Sequence, residues 1–155
     1  MITIKKSKEK DLAHFITVGL RASDVLELER MSGGKTEQDQ AVNDSFYLSE
    51  NKWTAFFNET PVGIFGLVPH PNVMSSTAVL WFVATEEAEE NKKMFLKASI
   101  DSMEKIKASG FSRIWNYADA KNTKSLKWLK YLGFQLSPTI YSINGNSFYH
   151  FSMEV

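Results

Sequence analysis

The apolar positions of the chain fall into blocks whose period changes along its length. Ile2 and Ile4 alternate with Thr3 and Lys5, the period-two pattern of a short strand. Helical spacing follows. Ser7 with Glu9, Lys10 and Asp11 marks a helix start, and Leu12, Phe15, Ile16 and Leu20 form its stripe. Ser23-Asp24 begins a second helical segment carrying Val25, Leu26 and Leu28. Met31-Ser32-Gly33-Gly34 breaks it, and Thr36 opens a third through Ala41, Val42, Phe46 and Leu48. Two strands come next, Lys52 to Asn58 and Val62 to Val68, joined by the turn Asn58-Glu59-Thr60-Pro61. After a loop at His70-Pro71-Asn72, the apolar run Thr77 to Thr85 has the character of a central strand.

Thr85 is placed to cap a long helix that runs to about Ser109 and stops at Gly110. Its inward stripe is Phe95, Ala98, Ser102 and Ile106, with Met94 and Met103 beside it. A strand over Arg113–Tyr117 follows. Asn122 then suits the N-cap of a short helix with Leu126, Leu129 and Leu132 at helical spacing, and Gly133 can take the left-handed conformation that ends it. Phe134 to Ile143 and Phe148 to Val155 are two last strands around Asn144-Gly145, a strong hairpin signal. The order is strand, two or three helices, three antiparallel strands, long helix, strand, short helix, two strands: an α/β (α+β) chain forming one domain over 1–155.

Composition narrows the chemistry. The 155 residues are 43% apolar and 13% aromatic, which suits a globular domain with a sizeable core. Lys plus Arg equals Asp plus Glu at 18 each, so no bulk charge advertises nucleic acid or an anionic membrane. There is no Cys, which excludes disulfides, thiolate metal sites and a Cys nucleophile, and is compatible with a reducing, cytoplasmic compartment. The start MITIKKSKEKDL lacks the apolar region of a signal peptide, and no run of about 18 apolar residues predicts a transmembrane helix. His14, His70 and His150 show no metal-ligand spacing. Gly33-Gly34-Lys35-Thr36 fails as a phosphate loop, because Glu29 stands where that motif needs Gly. Glu86 and Glu87 follow the central strand; they are either a general base for an amine or acidic first-turn residues favoured by the helix dipole.

The segment GFSRIWNYADAKNTKSLKWLKYLGF, Gly110 to Phe134, packs a strand, a capped helix and a Gly stop together. With Asn122 and Leu132-Gly133-Phe134 at their spacing, it resembles a motif of the GNAT family of N-acetyltransferases, and the element order matches that family over essentially the whole chain. The resemblance implies a mixed sheet of about six to seven strands. Its central strand splays from the next one to hold the pantetheine of acetyl-CoA on the backbone of Phe82, Val83 and Ala84. It places the pyrophosphate at the start of the long helix, on Asn91, Lys92, Lys93, Met94 and Phe95, and gives further cofactor contacts to Asn122, Ser125 and Trp128. Glu86 and Glu87 become candidate bases, and no metal is implied.

The chain departs from the family in two places. The long helix opens without the family's glycines, with Phe95 at the last of them and Glu89 and Glu90 nearby. The family's general-acid Tyr falls at Leu129, leaving Tyr117 or Tyr141 to reach the notch. With "LWFVAT" and "WNYADAKNT", these departures are similar to an acetyltransferase-like group of short-tailed bacteriophages, the internal virion proteins. Two functions stay open. One is acetyl transfer from acetyl-CoA to an amine, on a small molecule or a protein. The other is a non-catalytic phage protein that binds virion partners, located in the host cytoplasm or the virion. No nucleic-acid or membrane partner is expected.

Overall fold

The computed structural model describes residues 1–33 and 38–155. In chain order the elements are β1 (Ile2–Lys6), α1 (Glu9–Val18), α2 (Ala22–Ser32), α3 (Gln38–Leu48), β2 (Asn51–Phe57), β3 (Thr60–Pro69) and β4 (Thr77–Ala84). Then come α4 (Glu86–Glu90), α5 (Lys92–Lys107), β5 (Arg113–Asp119), α6 (Thr123–Tyr131), β6 (Gln135–Ile143) and β7 (Asn146–Glu154). The expected start of the third helix at Thr36 lies outside the described residues.

The strands form one seven-stranded mixed sheet in the order β1-β2-β3-β4-β5-β7-β6. Neighbours pair antiparallel except β4 and β5, which run parallel as a strand–helix–strand crossover requires. Side-chain alternation sends the strands' apolar residues to both faces. Ile64, Trp81 and Val83 meet Leu12, Phe15, Val42 and Phe46 of α1 and α3. Phe65, Leu80, Ile114 and Phe151 meet Met103, Ile106 and Leu129 of α5 and α6 on the other side.

The sequence signals for turns hold where backbone geometry demands them. Asn144 and Gly145 both have positive φ, at 50° and 79°, as a two-residue hairpin of this twist needs. Gly133 has φ 102° at the end of α6, and Phe134 N–H reaches back to the Leu129 carbonyl at 3.0 Å. Edge strand β6 carries Pro138 within a register shift between Leu136 and Ile140, where a missing N–H is tolerated.

One expectation is corrected. The long helix from Glu86 is two helices, because Asn91 leaves helical geometry at φ −121° and ψ 80°. Asn91 Oδ1 accepts from Met94 N at 3.4 Å and so caps α5, the role to which a short amide side chain is suited. Thr85 does not cap through its side chain; its hydroxyl donates to the Val62 carbonyl instead, at 3.4 Å. Among the described residues, no helix is long and apolar enough to cross a membrane.

Candidate active site

The parallel strands β4 and β5 pair over a short stretch, with Thr77, Ala78 and Val79 opposite Arg113, Ile114 and Trp115. Beyond it they part. At the fork Asn116 Nδ2 donates to the Leu80 carbonyl at 2.6 Å, a side chain standing where a ladder bond would have been. Since strand residues alternate, the backbone groups of Leu80, Phe82 and Ala84 face the gap, while those of Trp81 and Val83 face β3. Of the three residues assigned to pantetheine, then, Val83 turns its backbone away from the gap.

Ala84 is already occupied by the start of α2. Its N–H donates to Asp24 Oδ2 at 2.8 Å, and its carbonyl accepts from Arg21 N at 2.8 Å. Further along the same helix, Glu27 Oε1 accepts the N–H of Asp119 on β5 at 2.8 Å. Arg30 Nε bonds Asp119 Oδ2, and the carbonyls of Arg30 and Met31 accept from Asn146 and Asn144 of the β6–β7 turn. Arg21, Asp24, Glu27 and Arg30 follow one another at three-residue steps, each beside the next, and the row lies across the mouth of the notch tied to both walls. Asp24 is the buried residue of this helix, while Leu26 is 55% exposed. Sequence reasoning missed this set. Its signal was the three-residue spacing of charges, a pattern that usually marks a solvated face.

The notch opens onto a cavity of about 120 Å³ lined by Glu27, Leu80, Phe82, Asn116 and Tyr117 among others. Phe82, Phe95 and Trp128 meet at its outer end with ring centroids 5.5 to 5.8 Å apart. The Arg21 guanidinium lies 5.5 Å from the Phe82 ring and 5.4 Å from Phe95, a cation–π arrangement. Trp128 Nε1 is satisfied by Ser99 Oγ at 3.0 Å.

Outside the rings is a second pocket of about 240 Å³ between the first turns of α5 and α6. Arg21, Lys92, Lys124, Asn122 and Ser125 line it. Two helix N-termini and three cations suit an anion there. Glu89 opposes that charge, since it bonds Arg21 Nη1 at 3.0 Å and Lys124 Nζ at 2.7 Å. The Lys124 hydrogen bond, together with Arg21, holds the Glu89 carboxyl below its ordinary pKa although partial burial works the other way.

Other expected site residues are placed as follows. Lys93 and Glu87 are exposed and line neither cavity. Glu86 is exposed and accepts the Ala22 N–H at 2.8 Å, capping the start of α2. Met94 packs with the cluster around Ala88 and Ala98. Asn122 Oδ1 accepts from Ser125 N at 3.2 Å, the cap expected of it. Tyr117 lines the inner cavity and touches Tyr141 and His150 at 5.7 and 5.4 Å between centroids. Leu129 is 4% exposed and packs in the main core, although one side of it also lines the inner cavity.

Burial and charge set the titration of the α2 carboxylates. Burial raises the Asp24 pKa against the opposing pull of Arg21 and the Ala84 N–H. Burial raises Glu27 to about 7; Asp24 and Asp119 push the same way, and the Asp119 N–H and Arg21 push back.

For an acyl-CoA, two of the three β4 residues whose backbone faces the gap are already taken. Leu80 accepts Asn116, Ala84 is held by α2, and Phe82 keeps its backbone in the gap. The outer pocket has the cations and helix ends that a diphosphate needs. The fit is therefore partial: the anion end is built, and the pantetheine end is shared with α2.

The sheet order, the parting of β4 from β5 and the crossover helix between them define the GNAT acyl-CoA N-acyltransferase fold. The chain is similar to the ribosomal-protein-alanine N-acetyltransferase of Brucella melitensis, with TM-score 0.74 and 13% identity over 99% of both chains. It is similar to the spermidine N-acetyltransferase of Vibrio cholerae in complex with CoA and spermine, with TM-score 0.71 and 11% identity over 99% of this chain and 95% of that one. A GNAT-family acetyltransferase of Streptococcus pneumoniae gives TM-score 0.66 and 15% identity over 100% and 99%. No family model matches the sequence, and no curated protein matches it.

Proposed function

We propose that this protein is an acyl-CoA-dependent N-acyltransferase that moves an acetyl group to an amine. The observation that carries the proposal is the fork above Val79 and Trp115, which leaves β4 paired with β3 alone and its β5 side open beside a cavity. Phe82 would hold the pantetheine through its backbone. Lys92 and Lys124, with the first turns of α5 and α6, would hold the diphosphate once Glu89 is drawn off Lys124. The thioester supplies an activated acyl group; the chain's own part is to orient it, exclude water and manage protons. Of the similar proteins, one is named a ribosomal-protein-alanine N-acetyltransferase and another is held in complex with CoA and spermine, so small-molecule and protein amines both belong in a substrate panel. Saturating acetyl-CoA should raise the melting temperature by about 5 °C, as mass action requires of a ligand specific to the folded state. No shift at millimolar acetyl-CoA, in the wild type and in Glu89→Gln alike, would overturn the proposal.

A second reading rests on the α2 contacts. Ala84 is tied to Arg21 and Asp24, and the Phe82, Phe95 and Trp128 rings close the outer end of the cavity. Those contacts favour a non-catalytic protein that keeps the fold for partner binding, and the phage-like sequence features point to a virion or assembly component. The acetyl-CoA titration separates the two.

A further inference from the structure

Three carboxylates meet under α2, and two of them have a cation. Asp24 has Arg21 at 2.9 Å, and Asp119 is bonded to Arg30. Glu27 has no such partner among the described residues. Its Oε1 is fixed by the Asp119 N–H at 2.8 Å. Among the described residues its second oxygen has no protein partner, and no buried side-chain polar atom lacks one. That oxygen therefore reaches open space, and Glu27 lines the inner cavity together with Leu80, Phe82, Asn116 and Tyr117. The helix carrying it is anchored at both ends, by Arg21 and Asp24 on β4 and by Arg30 on β5, so the carboxylate is held in place at the fork.

We propose that Glu27 is the base that receives the proton of the acceptor amine. This rests on the acyltransferase reading above. In the step, the Glu27 carboxylate takes one proton from the acceptor's ammonium. The freed nitrogen lone pair forms the C–N bond to the acyl carbon of the thioester. The C–S bond breaks with its electron pair on sulfur, and the second amine proton passes to that thiolate through solvent. Protonated Glu27 then returns its proton to water.

The charged groups around Glu27 set the pH at which it can work. They are Asp24 and Arg21 from the start of α2, Asp119 and Tyr117 from β5, Arg30 from the end of α2, and Glu89 of α4 through Arg21. Burial and the neighbouring carboxylates keep Glu27 protonated to about pH 7, close to the value a base needs near neutrality.

The test compares wild type with Glu27→Gln and Glu27→Asp on acetyl-CoA and an amine panel, following free thiol. Glu27→Gln should lower kcat/KM at pH 7 by about 10²- to 10³-fold, with KM for acetyl-CoA unchanged. Its acidic limb should move from near pH 7 toward the acceptor's own pKa, and Glu27→Asp should restore part of the rate. Separately, the Glu27 carboxyl, followed by side-chain carbon NMR, should titrate near pH 7 with or without acetyl-CoA. A Glu27→Gln enzyme with wild-type rate and profile overturns the inference and leaves the acyltransferase reading standing, as does a Glu27 titration near pH 4.5. A wild type that binds acetyl-CoA and acetylates no amine overturns both.

Discussion

The same two strands are held together in two different ways. Below the fork, β4 and β5 share a backbone ladder over Thr77–Val79 and Arg113–Trp115. Above it, their free backbone groups are met by side chains: Asn116 on Leu80, Asp24 on Ala84, Glu27 on Asp119. A ladder bond cannot be removed without separating strands, and it does not titrate. A carboxylate clamp can be mutated, protonated or displaced by a ligand that offers the same hydrogen bonds. The lower half is therefore scaffold and the upper half is the part of the molecule open to change.

The largest effect should come from Asp24→Ala. It leaves Arg21 short of its nearest anion and the Ala84 N–H unpaired, a loss of about 3–5 kcal/mol for breaking a buried pair. The melting temperature should fall by about 10 °C. Asp24→Asn keeps an acceptor for Ala84 and should cost less. Equal melting temperatures for wild type and Asp24→Ala would mean that α2 does not hold the upper half closed.

The clamp should also give stability a pH dependence that the ladder lacks. Glu27 is raised from 4.5 to about 7 in the folded protein, so between those values the folded state binds a proton that the unfolded chain has released. Stability should therefore fall as pH rises through that window, by at most about 3 kcal/mol. Asp24, also raised, acts with the same sign. Glu89, lowered, acts oppositely, and its contribution is lost as pH falls below the ordinary Glu range. Urea denaturation from pH 4.5 to 8 should show the fall in wild type and a flatter profile in Glu27→Gln.

Next in size is Leu129→Tyr. Leu129 is packed in the core with Phe134, Phe151 and Ile106 and meets the inner cavity on one side, so a larger polar ring there should cost about 1–3 kcal/mol in thermal denaturation. A stable mutant that gains turnover would place that position on the reactive side instead. The smallest effect belongs to Lys97→Ala. Its 3.5 Å pair with Asp101 is exposed on α5, and its loss should change stability by less than about 0.5 kcal/mol.

How much of this was legible in the sequence follows the same division. The scaffold was written in period-two and helical apolar patterns, and each strand was located to within a few residues. The capped helix after Asn122 and the Asn144-Gly145 turn were readable because one side chain or one positive φ decides each. The break at Asn91 was not, since the Glu86-to-Ser109 segment keeps a helical stripe across it. Helix α2 misled most. The sequence marks this segment by Val25, Leu26 and Leu28, yet Asp24 is its buried residue and Leu26 is 55% exposed. Charged residues on the inner side of this helix make sense once the two strands beneath it part from each other, and that is a fact of three-dimensional pairing. Phe82 and Ala84 were located in the gap by resemblance, but that α2 had already taken Ala84 could not be read from spacing.

The most direct test is a CoA titration followed by backbone amide NMR. If the upper half of the notch is the acyl-CoA site, the amides of Phe82, Ala84 and Ser125 should shift together and saturate, and that of Asp119 should move as Glu27 readjusts. The amides of Thr77 and Val79, within the ladder, should stay still. Saturable shifts confined to β6 and β7, or none at millimolar CoA, would contradict the account.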